Sequence, residues 1–179
     1  CNPISHHPGP IAWYLLYPWV ELFGSRVGAW LFAVTWNGAC ALLTGWLGLR
    51  RAGPRTGAGV AVTCIGAYGL VAPWEYAATC FQLLPLLPLA LFLVAAWAAI
   101  RGDAVAWPFL VGAGSFVVQT ASIYAPIIAL CSIAAMAGFV SVIRRDRTSR
   151  RRWQRPVIAA AALAAAVWTP TAWDQVAGN

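Results

Sequence analysis

The sequence predicts an all-α integral membrane protein, because both its composition and its long apolar runs are typical of that class. Of its 179 residues, 61% are hydrophobic and 9% are charged, whereas soluble domains carry about 25% charged residues. A soluble domain of this length buries only about 70% of the surface of its unfolded chain. One core could not hide so much apolar surface, so lipid is predicted to surround the protein.

About six membrane spans are predicted from apolar runs of roughly 18 to 25 residues, one of them somewhat short. Backbone amides in hydrocarbon need partners within their own segment, so each run is expected to be a helix. Prolines near these runs are tolerable kinks in that setting. The predicted spans are residues 27–49, 58–72, 83–100, 105–121, 125–143 and 156–173.

A shorter apolar segment, residues 11–23, precedes the first span and contains Pro18. It is too short to cross a bilayer, and its tryptophans and tyrosines suit the membrane–water interface. Pro10 fits the first turn of such a helix. We therefore expect one transmembrane domain, a segment of a longer protein. Its parts are an outer loop with an interfacial helix (1–25), six spans (26–173) and the start of an outer loop (174–179).

The arginines predict the orientation of the spans. All 12 basic residues are arginines, and all but Arg26 fall in three stretches between spans, at 50–55, at 101 and at 144–155. Six alternating spans would put these stretches on one side, which the positive-inside rule makes cytoplasmic. A short cytoplasmic loop explains the run 144–155 better than nucleic-acid binding does. The prediction is a multi-pass plasma-membrane protein with an extracytoplasmic amino-terminal loop, with lipid as a partner and no nucleic acid.

The opposite, outer face holds the residue types that could do chemistry. His6 and His7 are the only histidines; being adjacent, they cannot form a helical zinc pair. They are either a polar interfacial turn or a contact to substrate or phosphate. The five cysteines likewise show no metal-ligand spacing.

Three further candidates lie in the connections on this face, and two of them have a simpler alternative. Glu75 is either a solvated loop residue or a catalytic base or ligand. Asp174 either serves a turn, pairs with Arg26 or has a catalytic role. The adjacent Gln175 is a candidate for substrate binding.

Two outer-face residues are candidates for substrate binding. Gln119 is explained as well by helix–helix hydrogen bonding as by a substrate contact. Tyr124 is either one of the aromatic residues of the membrane interface or a platform for a sugar ring.

Three stretches resemble a group of actinobacterial multi-spanning proteins. Residues 6–24, HHPGPIAWYLLYPWVELFG, look like the His-Pro-Gly-Pro motif of that group. Residues 84–119 are similar to it, as is the end, WTPTAWDQVAGN, which resembles the pattern Pro-Pro-x-x-Asp-Gln-x-x-Gly-x-x-Gly-Asn. Together they cover roughly half the chain. The sequence departs from the group at Ala121, where a histidine is usual, and in its shortened tail.

This group is placed with polyprenyl-phosphate-dependent glycosyltransferases of the GT-C fold, relatives of protein mannosyltransferases, aminoarabinose transferases and arabinofuranosyltransferases. The resemblance implies an extracytoplasmic site that uses a lipid-phosphate sugar. Its principal acid is expected in the first outer loop, upstream of this chain.

Two functions therefore stay open. In the leading hypothesis the histidines hold phosphate or acceptor, and Glu75 and Asp174 orient a hydroxyl or a divalent cation, for which oxygen ligands suit magnesium or manganese. The rival is a non-catalytic scaffold or transporter subunit of a cell-envelope complex, in contact with other membrane subunits. An ion path is disfavoured by the scarcity of ionisable residues at mid-span.

Overall fold

A computed structural model describes residues 11–78, 84–145 and 150–177, which form helices and no strand. Each apolar segment identified in the sequence is helical, including the short first one, so the all-α class is confirmed. Among the described residues, the 3-10 turn Ser122–Tyr124 joins two of the helices. The helices are α1 (Ile11–Phe23), α2 (Ser25–Ala52), α3 (Pro54–Ala78), α4 (Leu86–Ile100), α5 (Ala106–Thr120), α6 (Ala125–Arg145) and α7 (Arg150–Ala177).

α2 and α3 form a tight antiparallel hairpin. The chain reverses at Gly53, whose φ of 87° is a conformation that favours glycine. A Cβ atom at Gly48 would lie 3.2 Å from the Cα of Gly57, and one at Gly45 would lie 2.7 Å from the Cβ of Ala61. Small residues let the two backbones approach, as is common in membrane helix pairs.

α1 folds back along α2. Gly24, with φ 77°, lies between the two helices, and Leu16 of α1 packs with Phe32 of α2 in one buried cluster. A Cβ at Gly28 would lie 2.8 Å from the backbone nitrogen of Val20. The predicted helix thus exists, but it packs on α2 and α5 as part of the bundle. Its position at a membrane interface stays a prediction.

The short helices α4 and α5 form the centre of the bundle. They are antiparallel neighbours, joined by a reversal at Gly102 (φ 83°). α4 also contacts α2 and α6, and α5 contacts α1, α6 and α7. Phe92 of α4 and Val117 of α5 are completely buried. The core of the protein therefore surrounds this hairpin.

Three helical segments of the described residues are long and apolar enough to cross a membrane: Ser25–Ala52, Ser122–Val142 and Trp153–Trp173. The prediction of six spans is therefore wrong in number. α4 and α5 have 15 residues each, so each is about 22 Å long, less than the hydrocarbon thickness of about 30 Å. Their apolar side chains pack mainly against other helices. The three long apolar segments fit a membrane-embedded protein.

One end of the bundle, here called the basic end, carries Arg50, Arg51, Arg55 and Arg101. Asp103, in the α4–α5 connection, is 4% exposed and lies 3.6 Å from Arg50 and 3.0 Å from Arg51. The start of α7 reaches the same end, because Trp153 packs on Phe139 of α6, which packs on Trp107 at the start of α5. The described arginines of all three stretches therefore lie at the same end of the bundle. They belong to the end of α2, the α4–α5 connection and the ends of α6 and α7 that are joined to each other.

Replacing Asp103 with alanine is expected to lower the free energy of unfolding by about 1–2 kcal/mol. The two arginine side chains are 41% and 31% exposed, so water compensates for much of the lost ion pair. The rest comes from the Val105 N–H, which donates to Asp103 Oδ1 at 3.1 Å. Thermal unfolding in detergent measures the loss. Asp103→Asn, which keeps that acceptor, should lose less; an unchanged midpoint in Asp103→Ala would contradict the prediction.

Candidate functional site

At the end of α5 that lies away from the basic end, Gln119 is the centre of a buried polar cluster, here called the polar node. Its side chain lies on the last turn of α5 and is 0% exposed. Its Oε1 accepts from the backbone N–H of Ile11 and from the Thr171 hydroxyl, both at 3.4 Å. Its Nε2 donates to the Val167 carbonyl at 3.3 Å. One side chain of α5 therefore connects the start of α1 with α7.

Local structure explains why α1 and α7 present backbone groups at this point. Ile11 begins α1, and the first N–H groups of a helix lack an intrahelical acceptor. In α7, a backbone carbonyl has two lone pairs, so that of Val167 can accept from Gln119 besides its intrahelical donor. Pro170, inside the same helix, lacks an N–H and leaves the neighbouring Ala166 carbonyl without its helical donor. An amide side chain has both an acceptor and donors, so glutamine can serve both helices at once.

A second polar contact lies one turn before the polar node. Trp168 Nε1 of α7 donates to Ser115 Oγ of α5 at 3.0 Å. Ser115 and Thr171 are both largely buried. The α5–α7 interface therefore carries two successive polar contacts in an otherwise apolar region.

Two buried polar atoms of α2 have no hydrogen-bond partner in the described part of the chain: Trp36 Nε1 and Asn37 Oδ1. The Trp36 ring lies 4.9 Å from that of Phe116, one turn before Gln119 on α5. Unsatisfied buried polar atoms are rare in proteins, and each asks for an explanation, such as an ion, a water or a functional role. Unused hydrogen-bonding capacity therefore adjoins the polar node.

The structure describes some of the candidate residues predicted from the sequence and not others. Gln119 is in the polar node, and Tyr124 is half-buried in the 3-10 turn that follows α5, packed against the core. His6 and His7 lie outside the described residues.

Glu75 belongs to the last turn of α3, and Asp174 and Gln175 belong to the last turn of α7, but only their backbone is described. Since α3 is antiparallel to α2, its last turn lies away from the basic end. The roles predicted for all of these residues stay predictions.

No group of three His, Cys, Asp or Glu side chains comes together among the described residues. Glu75 and Asp174, the oxygen ligands predicted for magnesium or manganese, are not among the described side chains. The divalent cation therefore stays a prediction.

Sequence reasoning missed several residues of this site. Asn37, Ser115, Trp168 and Thr171 were assigned no individual role, although all four lie inside predicted spans and all but Trp168 are polar. A polar residue inside a predicted membrane helix is costly to bury and therefore marks a contact or a function. That signal would have identified Asn37 and Ser115.

Comparisons of the chain with protein-family models, with curated proteins and with solved structures give no match.

Proposed function

We propose that the chain is the membrane part of a glycosyltransferase that moves a sugar from a polyprenyl-phosphate donor to an extracytoplasmic acceptor in cell-envelope synthesis. One observation supports it most. The polar node binds Ile11, which directly follows His6-His7-Pro8-Gly9-Pro10, and Thr171, three residues before Asp174. The two polar segments that resemble the GT-C group are thus attached to the same point of the bundle.

In this proposal each polar segment has a chemical task. His6 and His7 hold the lipid phosphate or the acceptor, while Glu75 or Asp174 takes the proton of the acceptor hydroxyl. The acceptor oxygen then bonds to the anomeric carbon of the sugar. The bond from that carbon to the phosphate oxygen breaks, and polyprenyl phosphate leaves. Gln175 and Tyr124 contact the sugar.

The proposed location is the plasma membrane, with the polar node towards the outer face. The support is the convergence of arginines at the opposite end, since basic residues favour the cytoplasmic side. A divalent cation held by carboxylate oxygens would neutralise charge developing on the donor phosphate.

A scaffold subunit without catalytic activity is the second candidate, and the burial of Gln119 favours it. Its recorded hydrogen bonds join helices of this chain, as expected of a residue that holds a fold together. In that case the outer segments bind other membrane subunits of a cell-envelope complex.

The enzyme and scaffold proposals differ in one measurable outcome. We expect the combined substitution of His7, Asp174 and Gln175 by alanine to slow sugar transfer at least about a hundredfold, the low end of the losses typical for acid–base groups. The assay follows transfer from a radiolabelled polyprenyl-phosphate sugar in membranes that contain the protein. Gln154→Ala, an exposed position of α7, is the control. Full activity of the triple variant would remove these residues from the site.

A further inference from the structure

A cleft of about 520 Å³ opens between α3 and α4, with α2 as its floor. Thr44 of α2, Gly59, Thr63 and Cys64 of α3, and Leu93 of α4 are among its lining residues. Its volume lies in the range of ligand pockets, about 300–1,000 Å³. The cleft is therefore large enough to hold part of a small molecule.

The cleft offers hydrocarbon rather than hydrogen bonds. The Thr44 hydroxyl donates to the Cys40 carbonyl at 2.6 Å, and the Thr63 hydroxyl donates to the Gly59 carbonyl at 2.8 Å. Both hydroxyls are thus bonded within their own helices. Val62 and Ile65, on the same stretch of α3, are 70% and 56% exposed. An apolar chain that arrives from the surrounding lipid fits such a cleft.

Positive charge lies at one end of the cleft. Arg55 precedes Gly59 by four residues on α3, and Arg51 follows Thr44 by seven residues on α2. Residues at these spacings lie on the same face of a helix, so each arginine extends the face of its helix that lines the cleft. The hairpin reversal at Gly53 brings these two arginines near each other.

This charge is not fully compensated within the described residues. Asp103 pairs with Arg50 and Arg51, and Arg55 has no recorded ion pair in the described ranges. These three arginines therefore have one carboxylate partner among the described residues, Asp103, and an anion would balance the excess.

We propose that this cleft binds an anionic glycerophospholipid, with one acyl chain between α3 and α4 and its phosphate at Arg51 and Arg55. The apolar lining selects the chain, and the arginines select the charged headgroup, as basic sites between membrane helices do for acidic lipids. The site lies at the basic end, away from the polar node, and does not depend on the proposed sugar transfer.

The test is native mass spectrometry of the protein in neutral detergent, with phosphatidylglycerol or phosphatidylcholine carrying the same palmitoyl and oleoyl chains. The wild type is expected to retain phosphatidylglycerol preferentially. Arg55→Gln should weaken its binding about fivefold, since one arginine near a lipid surface contributes about 1 kcal/mol. Arg26→Gln removes the same charge from the far end of α2 and should change nothing.

Filling the cleft tests the acyl chain separately. A Cβ at Gly59 meets no atom within 4 Å, so Gly59→Leu is expected to extend its side chain into the cleft and to reduce retention of both lipids. Gly66 of α3 is equally open but lies outside the cleft, so Gly66→Leu is the matched control.

Three results would overturn the proposal. The first is an equal loss of phosphatidylglycerol in Arg26→Gln and Arg55→Gln. The second is an equal effect of the two leucine variants, including no effect in either. The third is displacement of the lipid by excess glycerol 3-phosphate, which would show that the headgroup alone determines binding. Because Arg55 and Gly59 are exposed, their variants are expected to fold.

Discussion

Replacing Gly28 with valine is expected to lower the free energy of unfolding by at least about 3 kcal/mol, the upper part of the range for overpacked sites. A Cβ at this position would contact the carbonyl oxygen of Trp19 and lie 2.6 Å from its carbonyl carbon. Backbone atoms of α1 cannot move aside as a flexible side chain can. The whole of α1 must therefore shift away from α2, which opens the cluster of Leu16 and Phe32.

Thermal unfolding in detergent, followed by circular dichroism, measures the effect of Gly28→Val. Gly38 is the matched control, because it lies on the same helix and a Cβ there meets no atom within 4 Å. Gly38→Val should change stability by less than about 0.5 kcal/mol, since valine and glycine differ little in helix propensity. Equal unfolding midpoints for the two variants would show that α1 does not pack on α2 at Gly28.

Replacing Gln119 with leucine is expected to cost about 2 kcal/mol, because three interhelical hydrogen bonds are lost at about 0.6 kcal/mol each in membrane proteins. Leucine is of similar size, so the loss is mainly that of the polar contacts. The N–H of Ile11 and the Thr171 hydroxyl would both lose their acceptor. The start of α1 should separate from α5 more often than the rest of the bundle opens.

Hydrogen–deuterium exchange is the appropriate measurement for Gln119→Leu, because it reports local opening. Exchange is expected to accelerate in the first turn of α1 and around Thr171 in α7, and to stay unchanged in the central helix α4. Gln154→Leu removes an exposed amide from α7 and should leave exchange unaltered. Thr171→Val removes one of the three contacts and should show a smaller effect. Identical exchange rates in Gln119→Leu and in the wild type would contradict the role of the polar node.

The helices could be predicted from the sequence better than their relation to the membrane. The apolar run 11–23 became α1 with the same bounds, and the run 105–121 became α5, Ala106–Thr120. Hydropathy cannot distinguish a helix that faces lipid from one that other helices surround, because both are apolar. This is why α4 and α5 were counted as spans, although their side chains mainly face protein.

The candidate site could be predicted only in outline. Gln119 was recognised as a polar residue at the end of an apolar run, with helix–helix bonding as one alternative. Its partners include the Ile11 N–H and the Val167 carbonyl, and backbone groups leave no trace in a sequence pattern. Ile11 reaches α5 because α1 packs antiparallel to α2. That packing depends on a close approach at Gly28, which the local sequence pattern does not predict.

The short α4–α5 hairpin has a consequence for the biogenesis of the protein. Helices long enough to span can enter the bilayer one at a time and associate afterwards, but two 15-residue helices are poor candidates for independent insertion. Their surroundings include α6 and α7, which emerge later from the ribosome. We therefore expect α4 and α5 to remain with the insertion machinery until synthesis of α7 is complete, so that a nascent chain truncated before α6 is unstable and degraded.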